Sequence, residues 1–236
     1  MQDNIFYTPS INPDAEYFIL PEEESKHCIK VLRLLEGEYI TLVDGCGNAY
    51  ECIIVTPNAK HCEVQITDIE REVQKKNYKL HIALAPTKLN ERTEWFLEKC
   101  TEIGIDEITP LLCHRSERKE LKTERMMKII IAAMKQSHKA YLPRLNEMTP
   151  LKRVIEEATE PQRYICHCGD GEKVPLKTAS PHSDTLILIG PEGDFDKEEL
   201  ELAKQRGFIP TTLGESRLRT ETAGIVACHT IHLINS

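Results

Sequence analysis

The chain has 236 residues, 40% of them hydrophobic and 29% charged, with a formal net charge of −8. This is the make-up of an ordinary water-soluble globular protein with enough apolar content for one large domain or two smaller ones. No apolar stretch is long enough to span a bilayer, and the start MQDNIFYTPS lacks the basic and apolar parts of a secretory signal, so a cytoplasmic protein is expected.

The first seventy residues read as β structure. Glu22 to Leu34 carries apolar positions at helical spacing, with Ser25 or an earlier residue as its cap. Tyr39 to Val43, Ala49 to Thr56 and His61 to Ile69 follow as strands, separated by Asp44-Gly45-Cys46-Gly47 and by Pro57 to Lys60. Short strands at this spacing suggest a small barrel or sandwich. Arg71 to Lys79 is polar, and the expected domains are therefore residues 1–72 and 73–236.

Beyond that boundary the period changes. Strands are expected at Leu80 to Ala85, Ile108 to Cys113, Arg163 to His167, Thr185 to Ile189 and Ile209 to Leu213. Helices are expected at Asn90 to Ile103 with a stop at Gly104, and from Thr123 to Tyr141 before Pro143. Further helices are expected from Pro150 to Ala158, at Asp196 to Arg206 with an Asp196/Glu199 capping pattern, and at Glu221 to Ile234. Strands alternating with helices imply an α/β fold with a parallel sheet.

Charge is unevenly spread. Residues 1–72 carry 5 basic and 14 acidic side chains, residues 73–150 carry 15 and 10, and residues 151–236 carry 10 and 14. The basic excess lies between Arg115 and Arg144 and includes Arg118, Lys119, Lys122, Arg125, Lys128, Lys135 and Lys139. Such a run is either a solvated helix face or a phosphate-binding surface. Nine cysteines, an odd number without a C-x-x-C pair, suit reduced thiols. Cys166-His167-Cys168 is their one tight cluster; no second pair at zinc-site spacing accompanies it, and no metal is expected.

Two glycine-bearing turns end apolar runs near the C-terminus: LILIGPEGDF (Leu186 to Phe195) and LGESRLRTETA (Leu213 to Ala223). Open α/β sheets bind ligands beyond the carboxyl ends of their strands. Gly190, Gly193 and Gly214 would give a ligand access to main-chain atoms. Arg217 and Arg219 approach a helix start, where anions are favoured, and Thr220 or Thr222 can cap that helix. No dinucleotide-binding, P-loop or nucleophile-elbow signature is present. Taken without a ligand, the same residues are two tight strand-to-helix turns.

These two turns, with APTKLNERTEWFLEKCTEIGIDEITPLLCHRSER (Ala85 to Arg118), resemble the RsmE family. Its members are methyltransferases of the SPOUT superfamily that act on N3 of a uridine in 16S ribosomal RNA. HCIKVLRLLEGEYITLVDGCG resembles that family's PUA-like RNA-binding barrel. The resemblance implies a C-terminal SPOUT domain with a deep trefoil knot, S-adenosylmethionine (SAM) as cofactor, a homodimer, and the small ribosomal subunit as partner. It places the cofactor at Ile189, Gly190, Pro191, Glu192, Gly193, Leu213, Gly214, Leu218, Thr222 and Ala223, with His167 on a third loop. Arg219, then Arg217, would stabilise a uridine anion, and Glu221 is either a general base or a helix-start carboxylate. Lys30, Arg33, Lys88, Arg115, Ser116 and Gln136 are the expected RNA contacts. Three positions depart from the family's usual residues: His114, Lys135 and His138. A SPOUT ribose 2′-O-methyltransferase and a non-catalytic RNA-binding or ribosome-assembly module remain as alternatives.

Overall fold

The computed structural model describes residues 4–236. By contact the chain forms two units. The first runs up to Lys75 and includes Met134–Leu142; the second comprises Lys76–Ala133 and Pro143–Ser236.

The first unit holds β1 (Ile5–Tyr7), β2 (Tyr17–Ile19), α1 (Glu22–Lys26), β3 (Tyr39–Val43), β4 (Ala49–Thr56) and β5 (Glu63–Glu70). They form one sheet in the order β1-β3-β4-β5-β2, with β1 parallel to β3 and the other pairs antiparallel. Phe6, Leu20, Ile40, Leu42, Tyr50, Ile54 and Val64 make its core. The helix expected over 22–34 is shorter: α1 stops at Lys26 and continues as a π-helical turn, His27–Val31. Ser25 is not its cap. The buried hydroxyl donates to Leu20 O (2.9 Å) and accepts from Cys62 N (3.0 Å), tying the helix to the start of β5.

Residues 134–142 complete this unit. Met134 and Ala140 are buried against Ile5, Val43 and Ala49, and Gly47 N donates to Ala140 O at 3.0 Å. Lys135 Nζ lies 2.7 Å from Glu24 Oε1 and sits over the Phe6 ring, so its counter-charge lies within the unit.

The second unit begins with β6 (Leu80–Leu84), α2 (Asn90–Ile103), β7 (Glu107–Leu112) and α3 (Thr123–Gln136), the last residues of α3 belonging to the first unit. It continues with β8 (Arg144–Leu145), β9 (Thr149–Pro150), α4 (Leu151–Glu157), β10 (Gln162–Cys166) and β11 (Val174–Pro175). It closes with β12 (Thr185–Ile189), α5 (Lys197–Gln205), β13 (Ile209–Thr212) and α6 (Thr220–Ile234). The sheet order is β11-β13-β10-β12-β6-β7-β8, with β9 also on β7. Every pairing is parallel. Helices cover such sheets, and the central strand β12 is buried along its whole length.

Helix ends follow local chemistry. Asp196 and Glu199 form the capping box of α5, and Gly104 closes α2 in the left-handed conformation at φ 117°. Helix α3 ends five residues earlier than its apolar pattern suggests. His138 takes a left-handed φ of 54°. Its N–H bonds Lys135 O (3.2 Å) while that of Lys139 bonds Met134 O (3.0 Å), a Schellman stop made without glycine.

Helices α2 and α6 lie side by side and run in the same direction. Arg92, Phe96 and Cys100 face Glu221, Gly224 and Cys228 in turn. A β-carbon at position 224 would fall 2.5 Å from the Phe96 ring and 2.8 Å from Leu84 Cδ1, so only glycine permits this approach. No helix among the described residues is long and apolar enough to cross a membrane. Overpacking predicts that Gly224→Ala destabilises the protein by about 1–3 kcal/mol, measured as a lower urea midpoint with unchanged slope.

Candidate functional site: a cavity at the carboxyl ends of three strands

Strand β10 lies between β12 and β13, and the chain leaves it to build one neighbour and then the other. That is a topological switch point. Register aligns Cys166 with Ile189 on one side and Thr211 on the other. The loops that follow all start from one edge. Between them is a cavity of about 560 Å³, within the range of small-molecule sites.

Nine of the eleven expected cofactor residues line this cavity: His167, Ile189, Gly190, Pro191, Glu192, Leu213, Gly214, Leu218 and Ala223. Arg217 and Arg219 line it as well. Gly193 and Thr222 are outside the lining. The side chain of Arg115 packs against Gly193 and donates to Gly193 O at 2.9 Å. Glu221 is also outside it, buried at the start of α6 with Arg92 Nε 3.7 Å away. Cys168, Lys173, Asp194 and Thr220 also line the cavity, although the sequence places none of them at a ligand site. Lys173 stands in an irregular loop with no periodic signal. Thr220 is not the helix cap that its sequence position suggests. The N-cap is Arg219 and no side chain caps the helix; the Thr220 hydroxyl instead donates to Gly190 O at 3.1 Å, joining the two turns.

Other contacts stiffen the walls. Asp194, at φ 62°, accepts from Cys168 N (2.8 Å) and Phe195 N (2.9 Å), linking the first turn to the loop after β10. A β-carbon on Gly190 would lie 3.0 Å from the Phe195 ring, which explains the glycine there. The ring nitrogens of His167 are buried and lack partners among the described residues. Burial first, then Lys173 and Lys204, push its pKa below the ordinary histidine value despite Asp194. Burial also pushes the Cys166 thiol up to about 12. No group of three His, Cys, Asp or Glu among the described residues is placed to hold a metal ion.

Arg217 and Arg219 are exposed and have no ion-pair partner among the described residues. Much of the basic run farther upstream is engaged. Arg118 donates to the carbonyls of Thr87 and Lys88, and Arg125 pairs with Glu94 at 2.8 Å. Ser116 is buried and accepts from Cys113 N. His114 approaches Asp196 at 3.1 Å. Lys88 is exposed and paired with Glu117. In the first unit, Lys30, Arg33 and Gln136 are exposed.

Residues 74–232 match an RNA methyltransferase domain, and residues 20–67 match an RNA methyltransferase PUA domain. The chain belongs to the RsmE family of RNA methyltransferases in the SPOUT superfamily. It is 29% identical over 221 residues to ribosomal RNA small subunit methyltransferase E of Mesomycoplasma hyopneumoniae (strain 232), covering 91% of this chain and 94% of that one. A crystal structure of a "probable rRNA-methyltransferase" from Porphyromonas gingivalis is 40% identical, covers 98% of both chains and superposes with a TM-score of 0.92. A "putative methyltransferase" from Legionella pneumophila, solved with the bound cofactor SAM, is 30% identical, with a TM-score of 0.86 and coverage of 100% and 99%.

The Thr220–Gly190 bond yields a test. Thr220→Val keeps the shape and deletes the donor, leaving the buried Gly190 carbonyl without this bond. A stability loss of about 1–3 kcal/mol is expected, read by chemical denaturation, together with weaker binding at the cavity.

Proposed function

We propose that this chain transfers a methyl group from S-adenosylmethionine to N3 of a uridine in small-subunit ribosomal RNA. The observation that carries the reading is the cavity itself. Main chain at the ends of three neighbouring strands forms its walls, and two uncommitted arginines stand on it. A 30% identical relative was solved with SAM bound.

The residues present suit that cofactor. Gly190, Gly214 and the backbone of Leu213 and Leu218 offer amides and carbonyls to an adenosine, with Ile189, Pro191 and Ala223 as apolar walls. When bound, it supplies a methyl group made electrophilic by a sulfonium. The chain's own contribution is positional and electrostatic. N3 of uracil has no free lone pair until its imide proton leaves, and the resulting charge spreads onto the flanking carbonyl oxygens. Arg219, with Arg217 second, stabilises that anion at the cavity. Glu221 is buried away from the cavity and is assigned a structural role, with the proton passing to solvent.

Lys30, Arg33, Gln136 and Lys88 remain as contacts to the RNA backbone, whereas Arg115 and Ser116 hold loops. Few basic contacts suit a large structured substrate recognised by shape as well as charge. The path of α6 supports the deep trefoil knot of the superfamily: after β13 the chain passes beside Gly190 and lies against β6, β12 and α2. The exposed large apolar side chains Leu89 and Trp95 on and beside α2, and Leu233 on α6, support a homodimer. Sedimentation should give twice the chain mass.

Small ribosomal subunits lacking the modification, incubated with labelled S-adenosylmethionine and digested to nucleosides, should yield labelled 3-methyluridine. Label on a ribose oxygen would point to a 2′-O-methyltransferase. Failure to bind the cofactor in calorimetry would leave only an RNA-binding module. Arg219→Ala should lower kcat about a hundredfold; full turnover would refute its assignment.

A further inference from the structure

We propose that Arg92 is a positioning residue that holds the two cofactor turns in place. This rests on reading the cavity as the methyl-donor site. Arg92 stands in the first turn of α2, where the helix dipole disfavours a cation. Its partners come from far along the chain. Nη1 is 3.3 Å from Glu192 Oε1 in the Gly190–Gly193 turn, and Nε is 3.7 Å from Glu221 Oε1 in the first turn of α6. One guanidinium therefore bridges both segments that carry cofactor residues.

Neither carboxylate is a casual surface charge. Glu192 lines the cavity, and its second oxygen accepts from Lys88 N at 3.4 Å. Glu221 is 4% exposed, and its Oε2 has no hydrogen-bond partner among the described residues. Arg92 is the one cation at ion-pair distance from Glu221 among those residues. A buried carboxylate without a counter-charge is strongly unfavourable, so Glu221 draws the start of α6 toward Arg92.

The rest of the helix pair aligns this contact. Phe96 and Gly224 meet one turn farther along, and Cys100 and Cys228 a turn beyond that. Arg92 is the cavity end of the seam. It does not line the cavity itself, so it acts through Glu192 and through the segment entering α6. The planar guanidinium suits a two-sided bridge that a lysine ammonium reproduces only in part.

The test compares Arg92→Met, Arg92→Lys and the double variant Arg92→Met/Glu221→Gln with the unaltered protein. Calorimetry with S-adenosylhomocysteine measures affinity, and thermal melting measures stability. Arg92→Met should bind about tenfold or more weakly, with KM for the methyl donor raised and kcat at saturation largely kept. Arg92→Lys should recover part of the affinity. The double variant removes the uncompensated buried charge and should regain melting temperature over Arg92→Met while affinity stays low, because Glu192 is still unanchored. It also carries the comparison if the single variant is too unstable to purify. Unaltered affinity in Arg92→Met, or recovery of both affinity and stability in the double variant, would overturn the proposal while leaving the methyl-donor reading intact. An unaltered protein that does not bind S-adenosylhomocysteine would overturn both.

Discussion

The close contact between α2 and α6 sets the geometry of the sheet's carboxyl edge. Helices are stiff on the scale of one turn, so the meeting of Phe96 with Gly224 fixes where α6 begins. With that start fixed, Thr220 reaches the carbonyl of Gly190, and Arg219 remains exposed at the cavity. A side chain at 224 would push α6 outward and uncouple the turns. The geometry of the cavity's edge therefore depends on a packing contact that lies outside it.

Glycine-bearing turns explain why part of the cavity lining was legible in the sequence. Backbone becomes accessible where glycines interrupt a strand-to-helix turn, and glycines are visible as letters. Leu186 to Ile189 is continuously apolar because β12 is buried on both faces, so the strand could be read directly. Helix α2 was equally plain, since its apolar period ends at a glycine free to turn left-handed.

What escaped prediction was set by partners far along the chain. β1 and β2 are three residues each, too short to show alternation, and exist because β3 and β5 offer them edges. Thr220 looked like a cap because capping is what threonine does locally; a carbonyl thirty residues away claims its hydroxyl instead. Arg92 resembles any helical surface charge until two distant glutamates are brought beside it. The basic run from Arg115 to Arg144 looked like one surface, yet carbonyls and carboxylates hold several of its members. His114, Lys135 and His138 are likewise engaged locally: His114 by Asp196, Lys135 by Glu24 and His138 by the stop of α3.

The grouping of residues 134–142 with the N-terminal unit has a consequence for biosynthesis. Met134 and Ala140 supply part of that unit's interior, and Leu142 N bonds Gly45 O across it. A nascent chain that has delivered only its first seventy-odd residues lacks these pieces. The small sheet must wait, partly unlined, while about sixty more residues emerge from the ribosome. For the same reason no single scission yields two self-sufficient halves: the segment that finishes the first is translated from the middle of the message.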